Sequence, residues 1–252
     1  MPQIDLNCDL GESFGMHKMG DDEGIMPFIS SANIGCGFHG GDPTTIRHAV
    51  TLARENNVAV GAHPSFPDRL GFGLHEMKMP PQALEDAILY QISAVAGIAQ
   101  AEGVRLHHVK PHGALGWLAG RRADLATIIA RATASFDPSL VLYAFGELIP
   151  AAREAGLRLS ADMFAGRIYD ADGLPRTRTK PGGMLPSFDD MVAQLVTLSA
   201  DQKVKASNDS WIDLPADTAC VHVEGPADTE TIAKLHHALI AAGVTITPTT
   251  RV

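Results

Sequence analysis

The segments Ala101-Glu-Gly-Val-Arg-Leu106, Glu154-Ala-Gly-Leu-Arg-Leu159 and Ala241-Ala-Gly-Val-Thr-Ile246 share one pattern, and Glu55-Asn-Asn-Val-Ala-Val60 repeats it with Asn for Gly. In each, a helical stretch meets a residue that tolerates the left-handed conformation, and a strand-like apolar run follows at once. Such short helix-to-strand joints, repeated along a chain, mark βα units and so a parallel sheet. Working outward, the spacing predicts strands over 4–8, 31–36, 58–62, 106–110, 140–144, 157–161 and 219–223. Helices are predicted after Asp42, after Pro80-Pro81, and near 123–134, 147–155, 188–199 and 228–242. Ile46, Ala49, Val50 and Ala53 fall on one face of the first helix, and Leu84, Ile88, Ile92 and Val95 on one face of the second. Seven units fit better than eight, with Val244–Thr247 available as a short closing strand. The expectation is one α/β domain over residues 1–252, a closed or nearly closed barrel ahead of an open doubly wound sheet.

Composition narrows the function. The 252 residues are 45% hydrophobic and 19% charged, an ordinary globular balance. Lys plus Arg number 20 against 29 Asp plus Glu, a net charge of −9 that argues against nucleic acid or an anionic membrane as partner. No apolar run nears the roughly 20 residues of a membrane span. The opening Met1-Pro-Gln-Ile-Asp5 lacks the regions of a secretory signal, which predicts a cytoplasmic chain. Cys8, Cys36 and Cys220 are expected to be free thiols, since three cannot all pair and none sits in a CxxC.

Polar groups gather where the strands end. Strand one runs into Asn7, Asp9 and Glu12, strand two into His39, strand three into His63, strand four into Lys110 and His112, and strand seven into His222 and Glu224. Parallel strands bring their C-terminal ends together, so these groups are expected to share one site. Imidazoles with a carboxylate can hold a divalent metal, for which Asp9, His39 and His63 are the candidates, or can move protons without one. No GxxxxGK[ST] and no strand-linked GxGxxG occurs, so neither familiar nucleotide loop is available. His107, His108, His236 and His237 read as structural or solvent-facing, Asp42 as a helix cap, and Lys18 with Asp21–Glu23 as a solvated loop. Two long connections, 64–79 and 164–187, follow strand ends; the second carries Arg167, Tyr169, Arg176, Arg178 and Lys180. Residues 203–214 read as a small β-hairpin turning at Asn208-Asp209.

Four of these strings, Asp5-Leu-Asn-Cys-Asp-Leu-Gly-Glu-Ser-Phe-Gly15, Ser31-Ala-Asn-Ile-Gly-Cys-Gly-Phe-His-Gly-Gly-Asp42, Gly61-Ala-His-Pro64 and His108-Val-Lys-Pro-His-Gly-Ala-Leu115, together resemble the LamB/YcsF family. These are the A subunits of bacterial ATP-dependent 5-oxoprolinase, and the resemblance runs from about residue 3 to residue 246. It implies a distorted (β/α)7 barrel of the glycoside hydrolase/deacetylase kind, with the hairpin as an excursion. It also implies ATP-dependent opening of 5-oxo-L-proline to L-glutamate, with ATP shared with separate B and C subunits. Under that reading Asp9, Glu12, Lys110 and His112 are the catalytic candidates. Asn7, His39, His63, Arg167 and His222 bind substrate. Self-association of the chain is compatible with the sequence.

The chain departs from the family pattern at Gly166, where an Asp is expected, at Gly116 in place of Tyr, and at Val223-Glu224 in place of Gly-Asp. Ser65-Phe66 is a milder change. Two other readings stand beside the family one. The first is a stand-alone metal-dependent amide hydrolase or deacetylase of a small carbohydrate-like or amide substrate, which the Asp–His–His set would serve. The second is a non-catalytic binding subunit, which the altered loops suggest.

Overall fold

The computed structural model describes residues 1–177, 181–222 and 227–249; Arg178, Lys180 and the Val223-Glu224 pair lie outside them. In chain order, β1 (Gln3–Leu10) is followed by a short helix α1 (Asp22–Ile25), β2 (Ser31–Gly35), α2 (Pro43–Glu55), β3 (Ala59–His63) and α3 (Pro81–Ala101). Then come β4 (His108–Val109), α4 (Gly113–Ala119), α5 (Ala123–Phe136), β5 (Val141–Ala144), α6 (Leu148–Glu154) and β6 (Arg158–Phe164). The chain continues with α7 (Phe188–Asp201), β7 (Lys203–Lys205), β8 (Trp211–Asp213), β9 (Thr218–Val221), α8 (Ala227–Ala241) and β10 (Thr245–Ile246).

Strands β1-β2-β3-β4-β5-β6-β9 pair in parallel, and β9 pairs back onto β1, closing a seven-stranded barrel. Only the first residues of β1, Gln3 and Ile4, pair with β10, while Asp5–Cys8 pair with β9. The short closing strand therefore flanks the barrel's N-terminal rim without becoming an eighth stave. The antiparallel β7–β8 pair is the expected hairpin, with Asp209 at φ 66° in its turn.

Local chemistry sets these boundaries. Asp42 caps α2 by accepting from the Thr45 N–H, Pro43 opens the first turn, and Ile46, Ala49, Val50 and Ala53 are its buried face. Asn57, Gly103, Gly156 and Gly243 all lie at positive φ, between 57° and 80°, so the four joints close their helices as the sequence pattern requires. The segment around Asp21–Glu23 is corrected from solvated loop to helix. Asp21 caps α1 through Gly24, and Asp22 accepts from the Gly11 N–H. Helix α4 leaves no periodic mark in the sequence, because seven residues are too few for apolar periodicity to show. Among the described residues no helix is long and apolar enough to cross a membrane.

The strand faces differ sharply. Ile4, Leu6, Cys8 and Leu10 of β1 are buried against the helical shell, whereas Asp5, Asn7 and Asp9 point into the barrel. Barrel interiors are usually filled by branched apolar side chains. Here the interior is polar. Its lower layer joins Asp5 to Ser30, Ser31, Tyr143 and Thr218 through hydrogen bonds of 2.5–2.8 Å. The middle layer joins Asn7 to Asn33, Asp162 and Thr218, and Asn33 to His108. Burying such groups is tolerable only when they are paired, and these are.

Candidate active site

Above those layers, at the C-terminal mouth, the strands deliver an ammonium group and several titratable side chains. Lys110, just past β4, is 4% exposed. Its Nζ donates to Asn7 Oδ1 and Asp9 Oδ1, each at 3.0 Å, and to Cys220 Sγ at 2.7 Å, with Asp162 Oδ2 at 3.9 Å. Burial disfavours its charge, but Asp9, Cys220 and Asp162 outweigh that and hold the ammonium well above its ordinary pKa. Burial likewise opposes the Asp9 carboxylate, yet His63 and Lys110 hold it well below the usual range. Burial raises Asp162 to about 6 despite the nearby lysine.

Beside this ion pair stand three imidazoles and Glu12. His63, the last residue of β3, donates from Nδ1 to the Lys110 carbonyl at 2.7 Å and places Nε2 3.0 Å from His112 Nδ1. Since a carbonyl oxygen carries no hydrogen, Nδ1 of His63 must be protonated. His112 is fixed the same way, with Nε2 donating to the Phe72 carbonyl at 2.7 Å. His39 stacks flat on His112, with centroids 3.7 Å apart, and its Nε2 meets Glu12 Oε1 at 2.8 Å. Burial pushes Glu12 up, and it pushes His39 and His112 down, His112 to about 3 with the neighbouring imidazoles adding to the effect. Gly73 roofs the cluster at φ +70°; a Cβ there would lie 2.7 Å from the His112 ring and 2.9 Å from His39 Cβ.

The proposed site residues fall into distinct places. Asp9, Glu12, His39, His63, Lys110 and His112 converge. The expected metal triad regroups: Glu12, His39, His63 and His112 form one cluster of potential ligands, while Asp9 falls with Cys220 and His222. Asn7 is fully buried with its amide taken up by Asn33, Asp162, Thr218 and Lys110, so it positions the lysine. His222 lies half-buried beside Cys220 and the ring of Phe164. It opens onto a mainly apolar cavity of about 520 Å³, within the size range of small-molecule sites.

Arg167 is set apart from the cluster. It donates to the carbonyls of Gly183 and Arg176 and anchors the 164–187 connection, in which Tyr169 is also buried. Gly166 sits at φ +73°, a conformation that suits glycine better than an acid. A Cβ at Gly116 would run into the Pro111 carbonyl, so the backbone there leaves no room for an aromatic side chain. Asn33 and Asp162 are members of the site that the strand-end pattern missed. The one available signal was Asn33 inside an otherwise apolar strand, whereas Asp162 lies past the end of its predicted strand.

A closed parallel barrel that gathers acid, imidazole and ammonium groups at its C-terminal mouth defines the class: (β/α)-barrel proteins whose chemistry sits at the strand ends. The LamB/YcsF family model matches residues 4–252, and the chain belongs to that family. A relative from Tolumonas auensis, named as the A subunit of 5-oxoprolinase, is 48% identical over 248 residues, covering 98% of this chain and 99% of that one. Its namesake from Bacillus subtilis is 43% identical, covering 98% and 97%. The crystal structure of the lactam utilization protein from Thermus thermophilus matches with a TM-score of 0.91 at 40% identity, covering 97% of this chain and 99% of that chain.

Proposed function

We propose that this chain is the lactam-binding A subunit of an ATP-dependent 5-oxoprolinase, opening 5-oxo-L-proline to L-glutamate together with B and C partner subunits. The observation that carries this reading is the buried Lys110–Asp9 pair set against the Glu12–His39–His63–His112 cluster, in a chain so close to proteins named for that activity. A lactam is a stable amide. ATP, handled with the partner subunits, transfers its γ-phosphoryl group to the lactam oxygen and leaves as ADP. Water adds to the activated carbon, the ring C–N bond breaks with its nitrogen taking a proton, and hydrolysis of the resulting acyl phosphate releases inorganic phosphate and L-glutamate. The three N–H groups of Lys110 are taken by Asn7, Asp9 and Cys220, so its charge acts on the lactam through the field of the site and not as a direct hydrogen-bond donor.

The chain's own residues then have separable tasks. Lys110, fixed by Asn7 and Asp9, presents positive charge where the opening lactam gathers negative charge. Glu12, oriented by His39, and the facing imidazoles of His63 and His112 bind and activate the attacking water. His222 contacts substrate from the cavity side, and Arg167 holds the wall.

The test is reconstitution with the partner subunits and measurement of glutamate released from 5-oxoproline with and without ATP. Turnover is expected only from the complete mixture with ATP, falling about 10²–10⁴-fold in Glu12→Gln. ATP-independent turnover by the purified chain would instead identify a stand-alone amide hydrolase. Unchanged complex activity in His63→Ala and His112→Ala would identify a binding subunit.

A further inference from the structure

We propose that Glu12, His63 and His112 form a binding site for one divalent transition-metal ion of the zinc type, with His39 as the positioning donor of Glu12. The hydrogen-bond directions carry this. The Lys110 carbonyl takes the Nδ1 proton of His63, and the Phe72 carbonyl takes the Nε2 proton of His112. In their neutral forms the two rings therefore aim bare lone pairs at each other, from His63 Nε2 and His112 Nδ1, across 3.0 Å. Two acceptors at that distance repel unless a proton or a metal ion lies between them, and the Glu12 carboxylate beside them completes a donor set that a metal ion can use.

Glu12 Oε1 is the third donor, 3.7 Å from His112 Nδ1. In a tetrahedral site with bonds of about 2.0–2.1 Å, donor atoms lie about 3.3–3.4 Å apart. The observed separations bracket that figure, so small side-chain movements suffice. The two rings meet at 79°, which lets both lone pairs point to a common centre.

His39 is excluded as a direct ligand alongside His112. The two rings are stacked within 8° of parallel, and parallel in-plane lone pairs cannot converge on one ion. Its place is behind Glu12, 2.8 Å from the carboxylate. Each of the three ligands then has an outer partner: a carbonyl for each histidine and an imidazole for the carboxylate, the arrangement that orients metal ligands in proteins. Two imidazoles with one carboxylate suit Zn²⁺, Co²⁺ or Fe²⁺ better than Ca²⁺ or Mg²⁺. Asp9, placed in the ligand set by the strand-end pattern, is engaged by Lys110 and lies just outside, 3.4 Å from His63 Nε2.

The experiment uses the full chain without substrate, so its outcome is independent of the lactam reading. Metal-stripped protein is titrated with Co²⁺, following visible absorption, and with Zn²⁺, following heat. The expected result is one equivalent bound, with the Co²⁺ bands of a low-coordinate site. His112→Ala and Glu12→Gln should each lose stoichiometric binding while keeping the native circular dichroism spectrum. His39→Gln should keep one equivalent but bind about 10–100-fold more weakly. No stoichiometric binding by the wild-type chain, or wild-type binding by both Glu12→Gln and His112→Ala, overturns the site. Should His112→Ala fail to fold, the conservative Glu12→Gln and the wild-type spectrum still decide.

Discussion

The Nζ of Lys110 lies 2.7 Å from the Sγ of Cys220, two residues 110 positions apart in sequence that meet across the barrel interior. The ammonium donates to the sulfur while burial keeps Cys220 a thiol, its pKa raised well above the ordinary value. Cys220→Ala leaves one ammonium proton without an acceptor and is expected to cost about 1.5–3 kcal/mol in urea unfolding; Cys220→Ser, which keeps an acceptor, should cost less. All three cysteines are free and buried, so a thiol reagent should label none in the native chain and three after denaturation. Rapid native labelling would contradict the packing around Cys220.

Lys110 itself is the counter-charge of the site. Lys110→Met would leave Asp9 buried without its cation, an imbalance expected to cost about 3–5 kcal/mol. Asp9→Asn should partly restore the loss, because the two changes together remove both charges. A double-mutant cycle by chemical unfolding measures this coupling. Strictly additive effects would show that Lys110 and Asp9 do not interact as the 3.0 Å separation demands.

How much of this was legible in the sequence differs by level. The barrel was, because Asn57, Gly103, Gly156 and Gly243 announce helix ends through local stereochemistry alone. The convergence of Asp9, His39, His63, Lys110 and His112 was also legible, since parallel topology carries strand ends to one rim. The partnering was not. That Lys110 meets Cys220, or that Glu12 rather than Asp9 joins the histidines, depends on which strands face each other after closure, and no local pattern encodes that. Asp162 escaped because its strand runs through Phe164, beyond the apolar run ending at Ala161. Period-two polarity in Asp5, Asn7 and Asp9 was the visible trace of a polar interior. Strand propensity, carried by the apolar residues between them, does not report it.

The lower polar layer should stabilise the fold without serving the mouth. Tyr143 donates to Asp5 Oδ2 at 2.7 Å and lies 3.0 Å from Ser31 Oγ. Tyr143→Phe removes this hydroxyl from a buried carboxyl and should cost about 1–3 kcal/mol. Metal binding and turnover are expected to stay within about twofold, since a change near 0.4 kcal/mol is only a factor of two. A large loss of either at full folding would mean that the layers are mechanically coupled.

Space inside the barrel makes a further test. At Gly61 of β3 an added Cβ would overlap the His108 ring, which is held by Asn33 at 2.8 Å and stacked on Tyr143 at 4.1 Å. A ring pinned on both sides cannot yield cheaply. Gly61→Ala is therefore expected to destabilise by about 1–3 kcal/mol or more. The second substitution His108→Ala in the same chain should recover part of that loss; no recovery would place the clash elsewhere.

The buried carboxyl of Asp162 predicts a pH dependence with a definite sign. Burial raises its pKa from 3.8 to about 6, so the folded chain binds this proton more tightly than the unfolded one. Between about pH 4 and 6 the unfolded state has lost the proton while the folded state retains it, and stability falls as pH rises, by about 1.4 kcal/mol per unit for one group. Below the unfolded pKa the contribution is fully present, and above about 6 it has been lost and the curve is flat. Asp162→Asn keeps an oxygen to accept from Asn7, 3.1 Å away, but cannot ionise. The stability of the wild-type chain minus that of Asp162→Asn should therefore drop by about 2–3 kcal/mol from pH 4 to pH 6, then hold level to pH 8. Urea unfolding at five pH values measures it. A difference that stays level over the same interval would mean that Lys110 holds Asp162 ionised throughout.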